Sequence, residues 1–336
     1  MAIKQGDVWR AWRFYQLNWI LIALMGAVLA ASLALTSFRI GLPGLIVTFG
    51  FVAIYAGFAH ANARSDARRD PQVMFVLGST AQVVLITALM TPLTYVAGAA
   101  GFPLQDANLL AIDRALGLDW RGYLDFVNDR PLLAACLSYG YTMIRWPIFA
   151  IPVVLAAAWR FQRLQEFTLA FAVALIVTTA VSALVPAIGV FQQIGLDPAD
   201  FVNIDPRAYL DQQRDLGPVR AGTLRDLDLL SLAGIVTFPS FHACSAVLYA
   251  WALWPVWWAR PVAVLANGAM LASTPVDGGH YFIDLIAGIA VAAMAIMAAR
   301  ALGQRIGKQQ MPQGEPLTAA ESGSGRRPQA VNQTST

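Results

Sequence analysis

Two histidines stand where they could do chemistry. His242 ends the run Phe238-Pro239-Ser240-Phe241-His242, and His280 sits in Gly278-Gly279-His280-Tyr281-Phe282-Ile283-Asp284. Imidazole is the side chain best suited to act as nucleophile, acid or base near neutral pH. Asp284 follows His280 by four residues, so on a helix the two share a face and the carboxylate can accept from one ring nitrogen. That pairing orients the ring and makes its other nitrogen a better nucleophile. It also supplies a partner for an acid that would be costly alone in an apolar helix. Pro239 suits the first turn of a helix, where its missing N–H is not needed. The following N–H groups would attract an anion, with the Ser240 hydroxyl as a further donor. Gly278 and Gly279 permit close backbone approach before the next helix. Two positive helix ends are therefore expected to converge on one phosphate.

The elements that must position these residues are membrane spans. The 336 residues are 57% hydrophobic and 13% charged, far from the soluble norm of roughly half apolar and a quarter charged. Apolar runs long enough to cross a hydrocarbon core, about 20 residues, predict spans near 18–38, 41–60, 72–99, 132–158, 166–189, 239–258, 262–275 and 280–300. The expected fold is an all-α polytopic membrane bundle of about eight helices. The stretch between the two histidines suffices for one span inward and one outward, which returns both to one face. The first run reads as a retained span, being too long for a signal-peptide core and lacking a clean small-residue cleavage site.

Arg64, Arg68 and Arg69, then Arg160 and Arg163, then Arg260, then Arg300, Arg305 and Lys308 fall in alternate loops. That positive-inside pattern places the N-terminus in the cytoplasm and the histidines outside. It also accounts for the net charge of +3 without nucleic acid as a partner. The long outer segments 100–131 and 190–238 are acidic in balance. Residues 108–127 suit a helix along the outer interface, either a simple surface helix or a substrate gate. Cys136 and Cys244 lie in apolar segments and read as small buried hydrophobes rather than a disulfide. Trp251, Trp254, Trp257 and Trp258 read as an interfacial belt. His60 reads as a packing residue, and residues 304–336 as a disordered cytoplasmic tail.

These residues resemble the type 2 phosphatidic acid phosphatase superfamily, which shares a Pro-Ser-x-His motif and a later Ser-Arg-x5-His-x3-Asp motif. The matches are Pro239-Ser240-Phe241-His242 and Ser273-Thr274 followed at the same spacing by His280 and Asp284. The resemblance implies His280 as nucleophile, His242 as the acid that protonates the leaving group, and Asp284 as support. The run Val236–Ala243 looks most like the inositol phosphorylceramide synthase, or inositolphosphotransferase-like, branch. The resemblance covers residues 73–303 as a six-helix core and leaves 1–72 as a two-helix accessory segment. There are two departures. Thr274 replaces the arginine of the last motif, and the family's upstream Lys-x6-Arg-Pro motif is absent, Tyr123 standing where the lysine of Arg130-Pro131 should be. Phosphate contacts are therefore expected from Ser240, Gly279 and the outer-loop cations Arg220 and Arg225. Arg145 falls about 18 Å below the outer end of its span at the usual helical rise; it reads as a structural pair with a buried acid or carbonyl, with a functional role as the alternative.

The resemblance thus implies a lipid phosphate phosphatase or phosphotransferase. Its partners would be a lipid phosphate, water or a hydroxyl acceptor, and the surrounding membrane lipids. No cofactor is expected, and no metal, since only three ligand-type groups gather and helix ends favour anions. A bacterial inner membrane with a periplasmic site is the simplest setting. The alternative is a non-catalytic transporter or anionic-lipid-binding protein of the same fold.

Overall fold

Proline and capping side chains open many of the helices. Pro71 follows Asp70, whose carboxylate accepts from the Gln72 N–H at 2.8 Å, and Pro131 and Pro147 start two further helices. At a first turn proline forfeits no hydrogen bond. The computed structural model describes residues 5–65 and 69–307. In chain order its helices are α1 (Gln5–Leu35), α2 (Leu42–Arg64), α3 (Pro71–Gly98), α4 (Asp106–Ala115), α5 (Trp120–Asn128), α6 (Pro131–Thr142), α7 (Pro147–Ala157), α8 (Phe161–Leu184), α9 (Val190–Gln193), α10 (Arg207–Ala221), α11 (Phe241–Leu253), α12 (Arg260–Asp277) and α13 (Phe282–Gly307). The fold is an all-α membrane bundle, as expected, because only a helix satisfies its own backbone in lipid.

Of the eight expected spans, six are long and apolar enough to cross a membrane by length and composition alone. Helices α1, α2, α3, α8 and α13 are long and apolar enough to cross a membrane, and α6 with α7 makes a sixth, bent by 69° at residues 143–146. The expected spans 239–258 and 262–275 become α11, which is short, and α12, which carries Asn267, Ser273, Thr274 and Asp277 among its buried residues. A helix of α11's length rises about 20 Å against a hydrocarbon core of roughly 30 Å. Its far end lies among the exposed Trp254, Trp257 and Trp258, where an interfacial belt belongs. Its first residues therefore stand well inside the bundle.

A cap of α4, α5, α9 and α10 covers that end. Residues 108–127 are two helices, not the single one expected, divided at Gly117, whose φ is +72°. A two-residue parallel pairing, β1 (Arg39–Ile40) with β2 (Asp226–Leu227), fastens the α1–α2 turn to the cap. At the other end Asn18 Nδ2 donates to Gln165 Oε1 at 3.2 Å, and Gln165 Nε2 to Ser79 Oγ at 2.8 Å. The N-terminal pair is thus stitched into the core at both ends. Helix α13 runs past the expected boundary at 303 to Gly307; the rest of the expected tail lies outside the described residues. Cys244 is buried, Cys136 and His60 are exposed rather than packed, and both cysteines are free.

Candidate active site

Glycine decides how closely the site's helices approach. The position of a Gly288 Cβ is filled by the Ser240 carbonyl and Ala243, so only glycine lets α13 lie against the start of α11. The Ser240 N–H then donates to the Asp284 carbonyl at 3.0 Å, fixing one helix start to the other. Ser240 is the N-cap of α11, its Oγ accepting from the Ala243 N–H at 3.4 Å. Pro239 accordingly precedes the cap instead of occupying the first turn.

His280 is not on a helix. It stands in the bend before α13, yet its Nδ1 lies 3.1 Å from Asp284 Oδ2, and the same oxygen accepts from the Tyr281 N–H at 3.0 Å. An Nδ1–H donated to Asp284 leaves Nε2 with its lone pair, 3.5 Å from Ser240 Oγ. His280, Asp284 and Ser240 are all buried, and His242 is half-buried. His242 is held by Tyr141, whose ring stacks on it at 3.9 Å and 20°. A Cβ on Gly278 would lie 2.9 Å from the Tyr141 hydroxyl and 2.5 Å from His280 Cδ2. The bare glycine thus leaves room for the Tyr141 hydroxyl and the His280 ring on either side of it. Gly279 takes φ +62°, its Cβ position is blocked by the Tyr209 ring, and its carbonyl accepts from the Val190 N–H at 2.9 Å.

The cap helices hold this bend in place, through residues the sequence reading missed. Asp113 accepts from the N–H groups of Phe282 and Ile283, both at 2.8 Å. Burial raises its carboxyl above the usual range, and those two donors pull against the rise. Asp106 accepts from the N–H of Gly189 at 2.9 Å and the Tyr281 hydroxyl at 3.0 Å, and Trp120 Nε1 donates to the His280 carbonyl at 3.1 Å. The signal was present: Asp106, Leu109, Leu110 and Asp113 recur at helical spacing and are the buried face of α4, so two acids lie on an apolar stripe. One expectation changes as a result. The first N–H groups of α13 are spent on Asp113 and Asp284, so the helix end free to meet an anion is that of α11.

The expected cations are placed elsewhere. Arg225 donates to Val219 and Leu224 carbonyls and to Ser37, and stacks over Phe38 at 4.4 Å. Arg220 donates Nη2 to the Phe102 carbonyl and keeps Nη1 unbonded. Tyr209, beside Gly279, and Arg220 are both on α10, about three turns or roughly 16 Å apart. Arg145 behaves oppositely. It lies in the break between α6 and α7, its charge acts on His242, and its exposed guanidinium has no hydrogen bond or ion pair with a described residue. It is not the paired structural arginine expected from a straight span. Thr274 bonds back to the Met270 carbonyl at 2.7 Å, and Tyr123 donates to the Ala272 carbonyl at 2.7 Å. Neither reaches the histidines in place of the family's arginine and lysine. Among the described residues no three His, Cys, Asp or Glu side chains converge in an arrangement suited to a metal ion.

A buried imidazole oriented by a carboxylate, a second imidazole nearby and an open helix N-terminus can accept, hold and release a phosphoryl group. No curated protein and no solved structure matches the chain. The family model for the PAP2 superfamily matches residues 107–298, from α4 through most of α13 and more than half of the chain, and on that match this membrane protein belongs to the PAP2 superfamily.

Proposed function

We propose that the protein is an integral membrane lipid phosphate phosphatase or phosphotransferase that works through a phosphohistidine on His280. The observation that carries this reading is the Asp284–His280 pair, which leaves Nε2 free beside Ser240. Nε2 attacks phosphorus, the phosphoester P–O bond breaks, and His242 protonates the departing oxygen. Water or an alcohol then attacks phosphorus. The N–P bond breaks, and the new nucleophile's proton passes to His242. Arg145 meets the phosphate charge together with the α11 N-terminus, in place of Arg220 and Arg225.

The half-open side of the site supports a lipid as substrate. Arg145 lies in the break between α6 and α7, His242 is stacked on Tyr141 near the end of α6, and Trp146 and Tyr139 are exposed beside the break. A headgroup can therefore reach His242 and Arg145 laterally from the bilayer. The arginines at the uncapped end support a cytoplasmic location for that end and, with it, a site on the periplasmic face of a bacterial inner membrane. The Val236–Ala243 run favours an inositolphosphotransferase-like reaction.

The test is to trap the intermediate. Protein incubated with phosphatidic acid labelled in its phosphate should acquire acid-labile, base-stable label. His280→Ala should acquire none and release no phosphate. His242→Ala should release phosphate about 10²- to 10⁴-fold more slowly. Phosphate release by His280→Ala at the wild-type rate sinks the reading.

A further inference from the structure

Asp277 is the buried acid that the proposed mechanism leaves unused. It is the last residue of α12 and 6% exposed. The helix closes without it, through the Gly278 N–H bonded to the Thr274 carbonyl at 3.2 Å. Its neighbour Gly278 lies against Tyr141, whose hydroxyl is 2.9 Å from the position of a Gly278 Cβ; the Asp277 charge is felt at Tyr123 and Tyr141, and Asp205 of the cap is a second negative charge nearby. Tyr141 is also the residue stacked on His242, and its hydroxyl has no hydrogen-bond partner among the described residues.

Tyr141 therefore stands between two halves, its ring on His242 and its hydroxyl against Gly278 at the C-terminal end of α12. On one side the α11 N-terminus favours an anion. On the other, the α12 C-terminus brings the negative end of a helix and a carboxylate together, an arrangement that repels phosphate and favours a hydrogen-bond donor. Any phosphoryl transfer from His280 to an alcohol brings such a donor next to His242. We propose that Asp277 and the Tyr141 hydroxyl form the subsite for a polyhydroxy acceptor, binding a hydroxyl adjacent to the one that reacts.

This inference rests on the phosphohistidine reading and assigns the acceptor's place within it. In the transfer step the acceptor O–P bond forms, the P–Nε2 bond of His280 breaks and the reacting hydroxyl's proton goes to His242. Asp277 accepts a hydrogen bond from the neighbouring hydroxyl and makes no bond to phosphorus. It is a specificity-determining residue, and Gly278 keeps the gap between Tyr141 and the His280 ring clear of a side chain.

The test compares two fates of the same phosphorylated histidine. Full-length protein in lipid nanodiscs is given phosphatidic acid with glycerol, or with 1-propanol, which lacks a second hydroxyl. Free phosphate and the phosphorylated alcohol are measured together. The wild-type protein should favour glycerol over propanol. Asp277→Asn should lower the glycerol-to-water partition at least tenfold and bring the glycerol-to-propanol ratio close to one, and Tyr141→Phe, which keeps the stacked ring, should move both ratios in the same direction. A purely structural role for Asp277 would slow hydrolysis and transfer together and leave the ratios fixed, which overturns the proposal. So does a wild-type protein that releases phosphate but transfers none to glycerol. Phosphate release without label on His280 would instead overturn the phosphohistidine reading, and the acceptor subsite with it.

Discussion

At the scale of single residues, the informative contrast is among arginines. Arg220 and Arg225 are near the histidines in sequence, but Arg225 spends its donors on carbonyls and Ser37, and Arg220 is tied through Nη2 to the Phe102 carbonyl. Arg145 is remote in sequence, and its charge reaches His242. A charge-assisted hydrogen bond contributes about 1.5–3 kcal/mol, which is roughly one to two powers of ten in rate. Arg145→Ala should therefore lower kcat/KM for phosphatidic acid by about 10- to 100-fold, with Arg145→Lys intermediate because lysine cannot grip phosphate with two donors. Arg220→Ala and Arg225→Ala should leave kcat/KM close to wild type and lower the melting temperature. Equal losses of kcat/KM in all three would show that the charges act as a general field and not through contact. The histidines, Asp284 and Ser240 were legible in the sequence because their relation is local: a four-residue spacing and a Pro-Ser-x-His run. Arg145 was not, since a straight helix puts it too deep. The break in that span leaves it unpaired among the described residues, with its charge felt at His242, and the break is a property of packing.

At the scale of elements, the cap acts on the chemistry through backbone. Helix α4 sends Asp106 and Asp113 down, and α5 sends Trp120, to hold the bend that carries His280. Residues 108–127 pack on the bundle, and that packing is what positions the proposed nucleophile. Asp113→Asn keeps the shape and removes the negative charge from the start of α13, where a charge facing a helix N-terminus is worth about 0.3–2 kcal/mol. The expected outcome is a fall in kcat of several-fold up to about tenfold with KM nearly unchanged, and a loss of stability of about 1 kcal/mol. A change confined to KM would show that Asp113 acts on binding and not on the alignment of His280. The division of residues 108–127 into two helices was partly readable, because Gly117-Leu118-Asp119 offers a turn and an N-cap; Asp119 does accept from the Gly122 N–H at 3.0 Å. The link from Asp113 to residues far along the chain was not readable, since nothing local encodes it.

At the scale of the whole molecule, the distribution of charge and cover sets the sidedness on which the lipid reading depends. The uncapped end gathers Arg64, Arg160, Arg163, Arg260, Arg300 and Arg305, and the capped end holds the acidic segments around the site. The overall bundle was legible because apolar length is a property of sequence alone. The length of α11 and the buried polar residues of α12 were not, because both follow from how the other helices and the cap enclose them. The histidines lie beneath the cap and on its side of the bundle, so the site should open to the compartment that the cap faces. Val202 offers a test, being 92% exposed on the cap between α9 and α10. A Val202→Cys variant, built on Cys136→Ala because Cys136 is also exposed, should react with a membrane-impermeant maleimide in intact spheroplasts as fully as after lysis. Labelling only after lysis would put the cap in the cytoplasm. The positive-inside argument would then fail, and the substrate would have to be presented from the inner leaflet.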